Sequence, residues 1–268
     1  MGEILRYRVK DGEAESYLAE VPGADAVGQL ILVHEVWGFT PFIRESCDRL
    51  SRQGFRAFAP LLYWRHKEAF REENVRKGLK AVWGLSLEER RDPQKLEAAI
   101  RKGRASDQAA TMLRTLYDPD FRVRMLQDLV YLAKSLRKER PQLPVAALGF
   151  SMGGKLAMQL AARLRGLSAC VAVSAEPLTG PDLGRIRSPL LLIYGSDDRF
   201  MLRNLTAFIG EAVDRGKELA LKIYPSAGHE FFDPTDKAEY REEAARDAWE
   251  TSVHFMRKAA AARGARAS

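Results

Sequence analysis

The sequence predicts an α/β fold with a mostly parallel sheet that helices cover on both faces. Strands and amphipathic helices alternate along most of the 268 residues. Several strands are continuous apolar runs, such as QLILVHE and SPLLLIYG, which is typical of strands buried on both faces. Strands that alternate with helices in this way form parallel sheets with helices on both sides.

The predicted elements follow one another in a regular order. Two N-terminal strands, EILRYRVK and ESYLAEVP, flank the turn DGEA. Next come the strand QLILVHE, the helix PFIRESCDRLSRQG and the strand FRAFAPLL. They are followed by the helix DFRVRMLQDLVYLAKSLRKE, the strand PVAALGF, the helix MGGKLAMQLAARL and the strand LSACVAVSA. The chain closes with the strand SPLLLIYG, a helix over about 202–215, the strand LALKIYP and a long helix from about Lys237.

We expect one domain over residues 1–268, with a helical insertion at 66–118. The alternation of strands and helices lapses between Trp64 and Asp118, where only helices are predicted. That stretch is long for a single connection. It begins after a buried strand, on the side of the sheet where the functional loops gather. We therefore expect 66–118 to cover the site as a cap; the alternative is a helical pair on the flank of the sheet.

Composition and charge exclude several classes of protein. The formal net charge is +7, but basic and acidic residues are interleaved, as in SLEERRDPQKLEAAIRKGR. That pattern favours solvated helix faces over a nucleic-acid partner. Two cysteines are too few for a disulfide framework, and no apolar run approaches the length of a membrane span. We expect a cytoplasmic protein with no nucleic-acid or membrane partner; the oligomeric state is left open.

The stretch LGFSMGGKL, residues 148–156, fits two motifs. Gly149, Gly154 and Lys155 have the spacing of a phosphate-binding loop. The next position of that motif requires a serine or threonine to bind a magnesium ion, and here it is Leu156. No aspartate directly ends a buried strand to hold the same ion. The phosphate-loop interpretation is therefore rejected, because the sequence lacks the residues that would bind the magnesium ion.

The same stretch satisfies G-x-S-x-G through Gly149, Ser151 and Gly153. This motif presents a nucleophilic serine only where a strand enters and a helix leaves. Both are predicted here, PVAAL before the serine and GKLAMQLAARL after it. We therefore predict Ser151 as a nucleophile; the alternative is a glycine-rich turn without chemistry.

A serine nucleophile needs a base and an orienting acid. Of four histidines, His229 alone lies in a loop just past the end of a predicted strand and after a glycine. Two acids, Asp197 and Asp198, follow another strand directly. We choose Asp198, because the turn can point it back over the sheet while Asp197 faces outward or caps the next helix. The order Ser151, Asp198, His229 is that of α/β-hydrolases.

With these residues identified, the chain resembles the dienelactone hydrolase family of the α/β-hydrolase superfamily. The matching segments are LILVHEVWG, FRAFAPLLYWR, LGFSMGGKLA, LLLIYGSDDRF and YPSAGHEFF. The resemblance implies an α/β-hydrolase fold. It also implies that Glu35 faces the nucleophile in the resting enzyme and that the backbone N–H groups of Val36 and Met152 form an oxyanion hole. A carboxylate that only braces its loop is the alternative for Glu35.

Two positions depart from the best-known members of that family. Those members carry a cysteine nucleophile where this chain has Ser151. They also place an arginine, which holds a substrate carboxylate, four residues after the catalytic histidine; here that residue is Asp233. An acid there would repel an anionic substrate, and Arg44, Arg65 and Arg199 are the nearby basic residues that could compensate.

We therefore predict a hydrolase that cleaves small carboxylic esters or lactones through an acyl-serine, with no metal and no organic cofactor. Neutral substrates are expected to react faster than acidic ones. The alternatives are a thioesterase or peptidase on the same triad, or a ligand-binding protein without turnover. The predicted pocket residues are aromatic: Trp37, Tyr63, Trp64, Trp83, Phe231 and Phe232.

Overall fold

The computed structural model describes residues 2–23 and 25–267 of the chain. Its strands, in chain order, are β1 (Glu3–Val9), β2 (Gly12–Ala19), β3 (Gly28–Val33), β4 (Phe55–Pro60), β5 (Val145–Phe150), β6 (Cys170–Val173), β7 (Leu190–Gly195) and β8 (Leu219–Tyr224). They form one sheet in the order β1-β2-β4-β3-β5-β6-β7-β8. The β1–β2 and β2–β4 pairs are antiparallel, and all pairs from β4 to β8 are parallel. The predicted α/β fold with a mostly parallel sheet is confirmed.

The helices fill the connections between these strands. They are α1 (Pro41–Arg52), α2 (Glu72–Val82), α3 (Leu87–Arg91), α4 (Pro93–Lys102), α5 (Asp107–Tyr117), α6 (Pro119–Glu139), α7 (Met152–Arg163), α8 (Pro181–Arg185), α9 (Arg199–Leu202), α10 (Leu205–Asp214) and α11 (Glu242–Ala267). A short 3-10 turn covers Trp64–His66. None of the helices within 2–23 and 25–267 is long and apolar enough to cross a membrane.

The sheet separates two apolar cores. On β3, Ile31 and Val33 point into the core that contains α6, α7 and the helices α2 to α5, whereas Leu30 and Leu32 point into the core under α1 and α11. All six residues of β3 are buried. The alternation of side chains along a strand therefore gives both faces of the sheet an apolar layer, as the continuous apolar runs predict.

The segment between β4 and α6 is divided into short helices by polar caps. Ser86 and Glu89 form a reciprocal capping box at α3, and the Asp92 side chain accepts hydrogen bonds from the first turn of α4. Ser106 caps α5 in the same way. Each cap satisfies backbone N–H groups that the first helical turn leaves without partners. The amphipathic helices pack on one another, α2 against α4 and α5, and α5 against α6.

Several predicted boundaries are corrected by the structure. Val9 pairs with Gly12, so the N-terminal hairpin turns at residues 10–11 and not over DGEA. The helix expected over about 202–215 is α10, Leu205–Asp214, and the short helices α8 and α9 before it were not predicted. The last helix begins at Glu242, because the Asp236 side chain accepts hydrogen bonds from the backbone N–H groups of Ala238 and Glu239 and holds residues 236–239 in a turn.

Candidate active site

Ser151 occupies the sharp turn between β5 and α7. Its backbone has φ 48° and ψ −116°, a region that costs a non-glycine residue roughly 1–3 kcal/mol. The turn packs so tightly that a Cβ on Gly149 would lie 2.2 Å from the carbonyl oxygen of Gly153, and one on Gly153 would lie 2.2 Å from that of Val33. Only glycine fits either position, so the spacing of the motif reflects this close packing.

The loops after β5, β7 and β8 bring three side chains together. Ser151 Oγ lies 2.9 Å from His229 Nε2, and His229 Nδ1 lies 2.6 Å from Asp198 Oδ2. The Asp198 side chain is 2% exposed, and its Oδ1 accepts a hydrogen bond of 3.2 Å from Met201 N. The arrangement has the geometry of a nucleophile, a base and an orienting acid.

The roles of Asp197 and Asp198 differ in part from those predicted from the sequence. Asp197 is exposed and accepts a hydrogen bond from the Ser196 hydroxyl, as expected for an outward-facing residue. The cap of α9, however, is Asp198 itself, which uses one carboxylate oxygen for the helix and the other for His229. The helix therefore fixes the carboxylate that holds the histidine ring.

The electrostatic surroundings of His229 favour its protonated form. Burial opposes the charged imidazolium, but the hydrogen bond and the charge of Asp198 outweigh burial and raise the pKa of His229 above its ordinary value. The carboxylates of Glu230 and Glu239 raise the pKa further. An imidazole in this setting accepts a proton from a serine hydroxyl more readily than an exposed one does.

The predicted oxyanion-hole residues Val36 and Met152 lie at the cavity that Ser151 also lines. Within residues 2–23 and 25–267, neither Val36 N nor Met152 N donates a hydrogen bond. The Tyr63 hydroxyl donates a hydrogen bond of 2.9 Å to the Val36 carbonyl oxygen. Tyr63 thus anchors the loop that carries one of the two N–H groups.

A cavity of about 560 Å³ opens over Ser151 and His229. One side of it is formed by residues of the segment between β4 and α6, including Leu79, Trp83, Leu87, Arg91, Leu116 and Tyr117. Trp37 also lines the cavity. Trp83 is 68% exposed and Phe200, another lining residue, is 43% exposed. The helical segment therefore contributes directly to the walls around the serine.

Four of the six aromatic residues predicted for the pocket do not line this cavity. Tyr63 is buried and stacks on Phe70 with ring centroids 3.9 Å apart. Trp64 turns toward α6, where its Nε1 donates a hydrogen bond of 3.0 Å to Asp128. Phe231 and Phe232 lie in the core under α1 and α11, because the chain after His229 returns to that face of the sheet. Apolar packing accounts for Phe231 and Phe232, whereas Tyr63 and Trp64 combine ring packing with a hydrogen bond.

The Glu35 side chain, which the family resemblance places facing the nucleophile, is a buried acid. It makes no hydrogen bond to Ser151 and is fully buried beside Glu230 and Asp233, with ligand-type oxygens of the three acids within 4.8 Å of one another. His34 Nδ1 lies 2.6 Å from the Glu35 carbonyl oxygen and braces the loop. Among the described residues these three carboxylates are the group that could hold a metal ion.

The cavity contains basic residues that the sequence analysis did not identify. Arg91 and Lys155 both pair with Glu176, at 3.1 Å and 2.7 Å. Burial alone would raise the pKa of Glu176, but these partners outweigh burial and lower the pKa to about 2. Arg122 also lines the cavity, and no carboxylate in the described part of the chain lies within ion-pair distance of it. Around Glu176, therefore, three basic side chains face one carboxylate.

Most of the charged residues that the sequence analysis expected near the site lie elsewhere in the structure. Asp233 is outside the cavity lining, and its Oδ1 accepts hydrogen bonds from the backbone and hydroxyl of Thr235. Arg65 is held by Asp11 and Asp128, and Arg44 lies over the Tyr17 ring. Of the three arginines considered from the sequence, Arg199 lines the cavity. The expected repulsion of anionic substrates by Asp233 thus loses its basis.

Comparison with known proteins yields a consistent group of relatives. A model of the dienelactone hydrolase family matches residues 15–260. A Saccharolobus solfataricus protein named "Putative carboxymethylenebutenolidase" is 29% identical over 229 residues, 85% of this chain and 88% of its own. Carboxymethylenebutenolidase 1 of Cupriavidus pinatubonensis is 27% identical over 226 residues, 82% and 81% of the two chains. The crystal structure of a dienelactone hydrolase-like promiscuous phosphotriesterase from metagenomic libraries shares the fold, with TM-score 0.70, 19% identity and coverage of 96% and 98%.

Proposed function

This chain belongs to the dienelactone hydrolase family and is a hydrolase, and from that premise we propose that it cleaves small carboxylic esters or lactones through an acyl-serine intermediate. The hydrogen-bonded series from Ser151 Oγ through His229 to Asp198, with distances of 2.9 Å and 2.6 Å, carries the proposal. A serine hydroxyl is a weak nucleophile near neutral pH and reacts only when a positioned base removes its proton.

In the acylation step, Ser151 Oγ attacks the carbonyl carbon while His229 Nε2 takes the hydroxyl proton. The oxygen that becomes negative is stabilised by the N–H groups of Val36 and Met152. The carbon–oxygen bond to the leaving group then breaks, and His229 returns the proton to the departing oxygen. In a lactone the leaving oxygen stays attached to the acyl chain as a new hydroxyl. Asp198 holds His229 in the tautomer with the proton on Nδ1 and stabilises the imidazolium.

In the deacylation step, water replaces the serine as nucleophile. His229 Nε2 removes a proton from the water molecule, which attacks the acyl carbon, and the same two N–H groups hold the oxyanion. The bond to Ser151 Oγ breaks and Oγ regains its proton from His229. The product is a carboxylic acid, and the triad returns to its starting state.

We propose further that the substrate carries a carboxylate. Arg122 lines the cavity; its Nε donates a 3.3 Å hydrogen bond to the Leu116 carbonyl oxygen, and its guanidinium lies over the Tyr117 ring, 5.7 Å from the ring centroid. Burial lowers the pKa of Arg122 and the charge of Arg91 lowers it further, so an anion bound there would relieve both effects. The relative from Cupriavidus pinatubonensis is named for an acidic lactone substrate class, which agrees with this charge. The segment 66–118 acts as a cap in this proposal, since its residues wall the cavity.

Active-site labelling tests the nucleophile. A fluorophosphonate should add one adduct per chain, and peptide mass spectrometry should place it on Ser151. Ser196→Ala, at a half-buried serine outside the triad, should label as the unmodified protein does. Ser151→Ala should not label, and an adduct on any other serine would overturn the mechanism. Hydrolysis of aryl esters and lactones by the same preparations then tests the reaction class.

A further inference from the structure

Three acidic side chains converge next to the candidate active site without being used by the proposed mechanism. Glu35 follows β3, while Glu230 and Asp233 lie in the loop after β8. One carboxylate oxygen from each residue lies within 4.8 Å of the other two. Two ligands of one calcium ion can be at most about 5 Å apart, twice the ordinary Ca–O distance. The three oxygens therefore fit around a single ion.

In the described part of the chain, the basic side chain near this cluster is His229, whose charge favours the ionised form of Glu230. Glu35 is 0% exposed, and neither of its carboxylate oxygens has a hydrogen-bond partner within the described part of the chain. Glu230 accepts one 3.3 Å hydrogen bond from Trp37 Nε1, and Asp233 is hydrogen-bonded to Thr235. In residues 2–23 and 25–267, no lysine or arginine lies within 4.0 Å of any of the three acids.

Unpartnered carboxylates that are buried together carry a large free-energy cost unless protons or a cation neutralise them. Burial raises the pKa of Glu35 well above its ordinary value, and Glu230 and Asp233 raise it further. A proton shared between Glu35 and Glu230 would lower this cost, and so would a cation that contacts all three acids at one point.

We propose that Glu35, Glu230 and Asp233 form a binding site for a divalent cation. All three ligands are oxygens, so the site suits a hard ion such as Ca²⁺ or Mg²⁺ rather than one that prefers nitrogen or sulfur. Calcium fits better, because it accepts carboxylates in irregular geometry and needs fewer bound waters than magnesium does. Glu230 also lines the large cavity, which gives the ion a route to the buried Glu35.

The ion would join two loops that carry the proposed catalytic groups. Val36, which lines the cavity, directly follows Glu35, and His229 directly precedes Glu230. A cation held by both loops would fix their separation, as a cross-link does, without contacting the substrate. The three acids are therefore positioning residues for the active site, and metal binding is a property separate from the proposed hydrolysis.

Calorimetry on the full chain tests the site directly. After EDTA treatment and dialysis, titration with CaCl₂ should show one ion bound per chain, with tighter binding at pH 8 than at pH 6 because the ion displaces protons. At a CaCl₂ concentration 100 times Kd, the melting temperature should rise by on the order of 5 °C. Glu35→Gln and Asp233→Asn should each weaken binding at least tenfold, and Glu239→Gln, a cavity acid outside the cluster, should bind as the unmodified chain does.

Luminescence locates the ion. Tb³⁺ from TbCl₃ replaces calcium in oxygen sites and emits when a nearby indole is excited, and Trp37 contacts Glu230 directly. Trp37→Phe should lose most of the sensitised emission while Ca²⁺ still raises the melting temperature. The proposal is overturned if CaCl₂ and MgCl₂ at about 10 mM neither bind nor stabilise the chain, or if both cluster variants bind normally. None of these readouts depends on ester hydrolysis, so failure of either proposal is visible without the other.

Discussion

Replacing Arg122 with methionine isolates the contribution of one charge to substrate choice. The side chain has no carboxylate partner in the described part of the chain, so its removal leaves no acid unpaired. A hydrogen bond to a charged group contributes about 1.5–3 kcal/mol, and about 1.4 kcal/mol changes an equilibrium tenfold. We therefore expect kcat/KM for a carboxylate-bearing ester to fall by about 10- to 150-fold in Arg122→Met. Because burial already disfavours the charge, the melting temperature should change little.

The assay compares two esters that share an acyl group and a leaving group and differ in one remote carboxylate. The ratio of their kcat/KM values, measured at constant ionic strength, should shift toward the neutral ester in Arg122→Met. Arg124→Met is the matched control, since Arg124 lies on the same helix, approaches Asp118 at 3.5 Å and does not line the cavity. An equal loss of kcat/KM for both esters would refute the reasoning, because it would show that Arg122 supports the packing of the cavity and not the binding of the carboxylate.

Three further outcomes follow from the site. Ser151→Ala should reduce kcat by on the order of 10⁴–10⁶ without changing the circular dichroism spectrum. The pH profile of kcat/KM should rise through an apparent pKa above the ordinary value for histidine, because His229 acts as a base only when neutral and Asp198 raises its pKa. Asp198→Asn should shift that rise to lower pH and decrease kcat. An unshifted profile would show that Asp198 does not act on the base. Trp83→Ala should change KM or acyl preference while the melting temperature stays constant, because the ring is 68% exposed at the cavity; a loss of stability alone would contradict the cap.

The sheet and the convergence of Ser151, Asp198 and His229 could be predicted because each rests on a local pattern. Buried parallel strands are continuous apolar runs, and functional loops follow their carboxyl ends. Ser151 and Asp198 come shortly after the buried strands β5 and β7, and His229 follows the half-buried edge strand β8, so the parallel order of the strands brings them to one edge. Periodicity and glycine spacing are sufficient for this inference, since neither depends on side-chain packing.

The walls of the cavity could not be predicted, because they depend on which way each loop turns. Phe231 and Phe232 follow His229 directly, yet the chain carries both rings to the other face of the sheet. Arg122 lies in the first turn of α6, and its sequence context is that of any amphipathic helix. One signal was available for Glu176: it lies three residues after β6, at the edge where the other site residues gather.

The charges around the cavity match the charge separation that the proposed acylation would create. In that proposed step His229 becomes cationic as Ser151 attacks, and Asp198, Glu230 and Glu239 all favour that charge. The carbonyl oxygen becomes anionic beside the free N–H groups of Val36 and Met152. The basic residues Arg91, Arg122 and Lys155 form a separate cluster around Glu176 and do not pair with the acids near His229. Groups already oriented toward developing charge lower the barrier without rearranging during the reaction. Because of this separation, Arg122 is available for the proposed substrate carboxylate. In this proposal, substrate binding and acylation use different charged residues of one cavity.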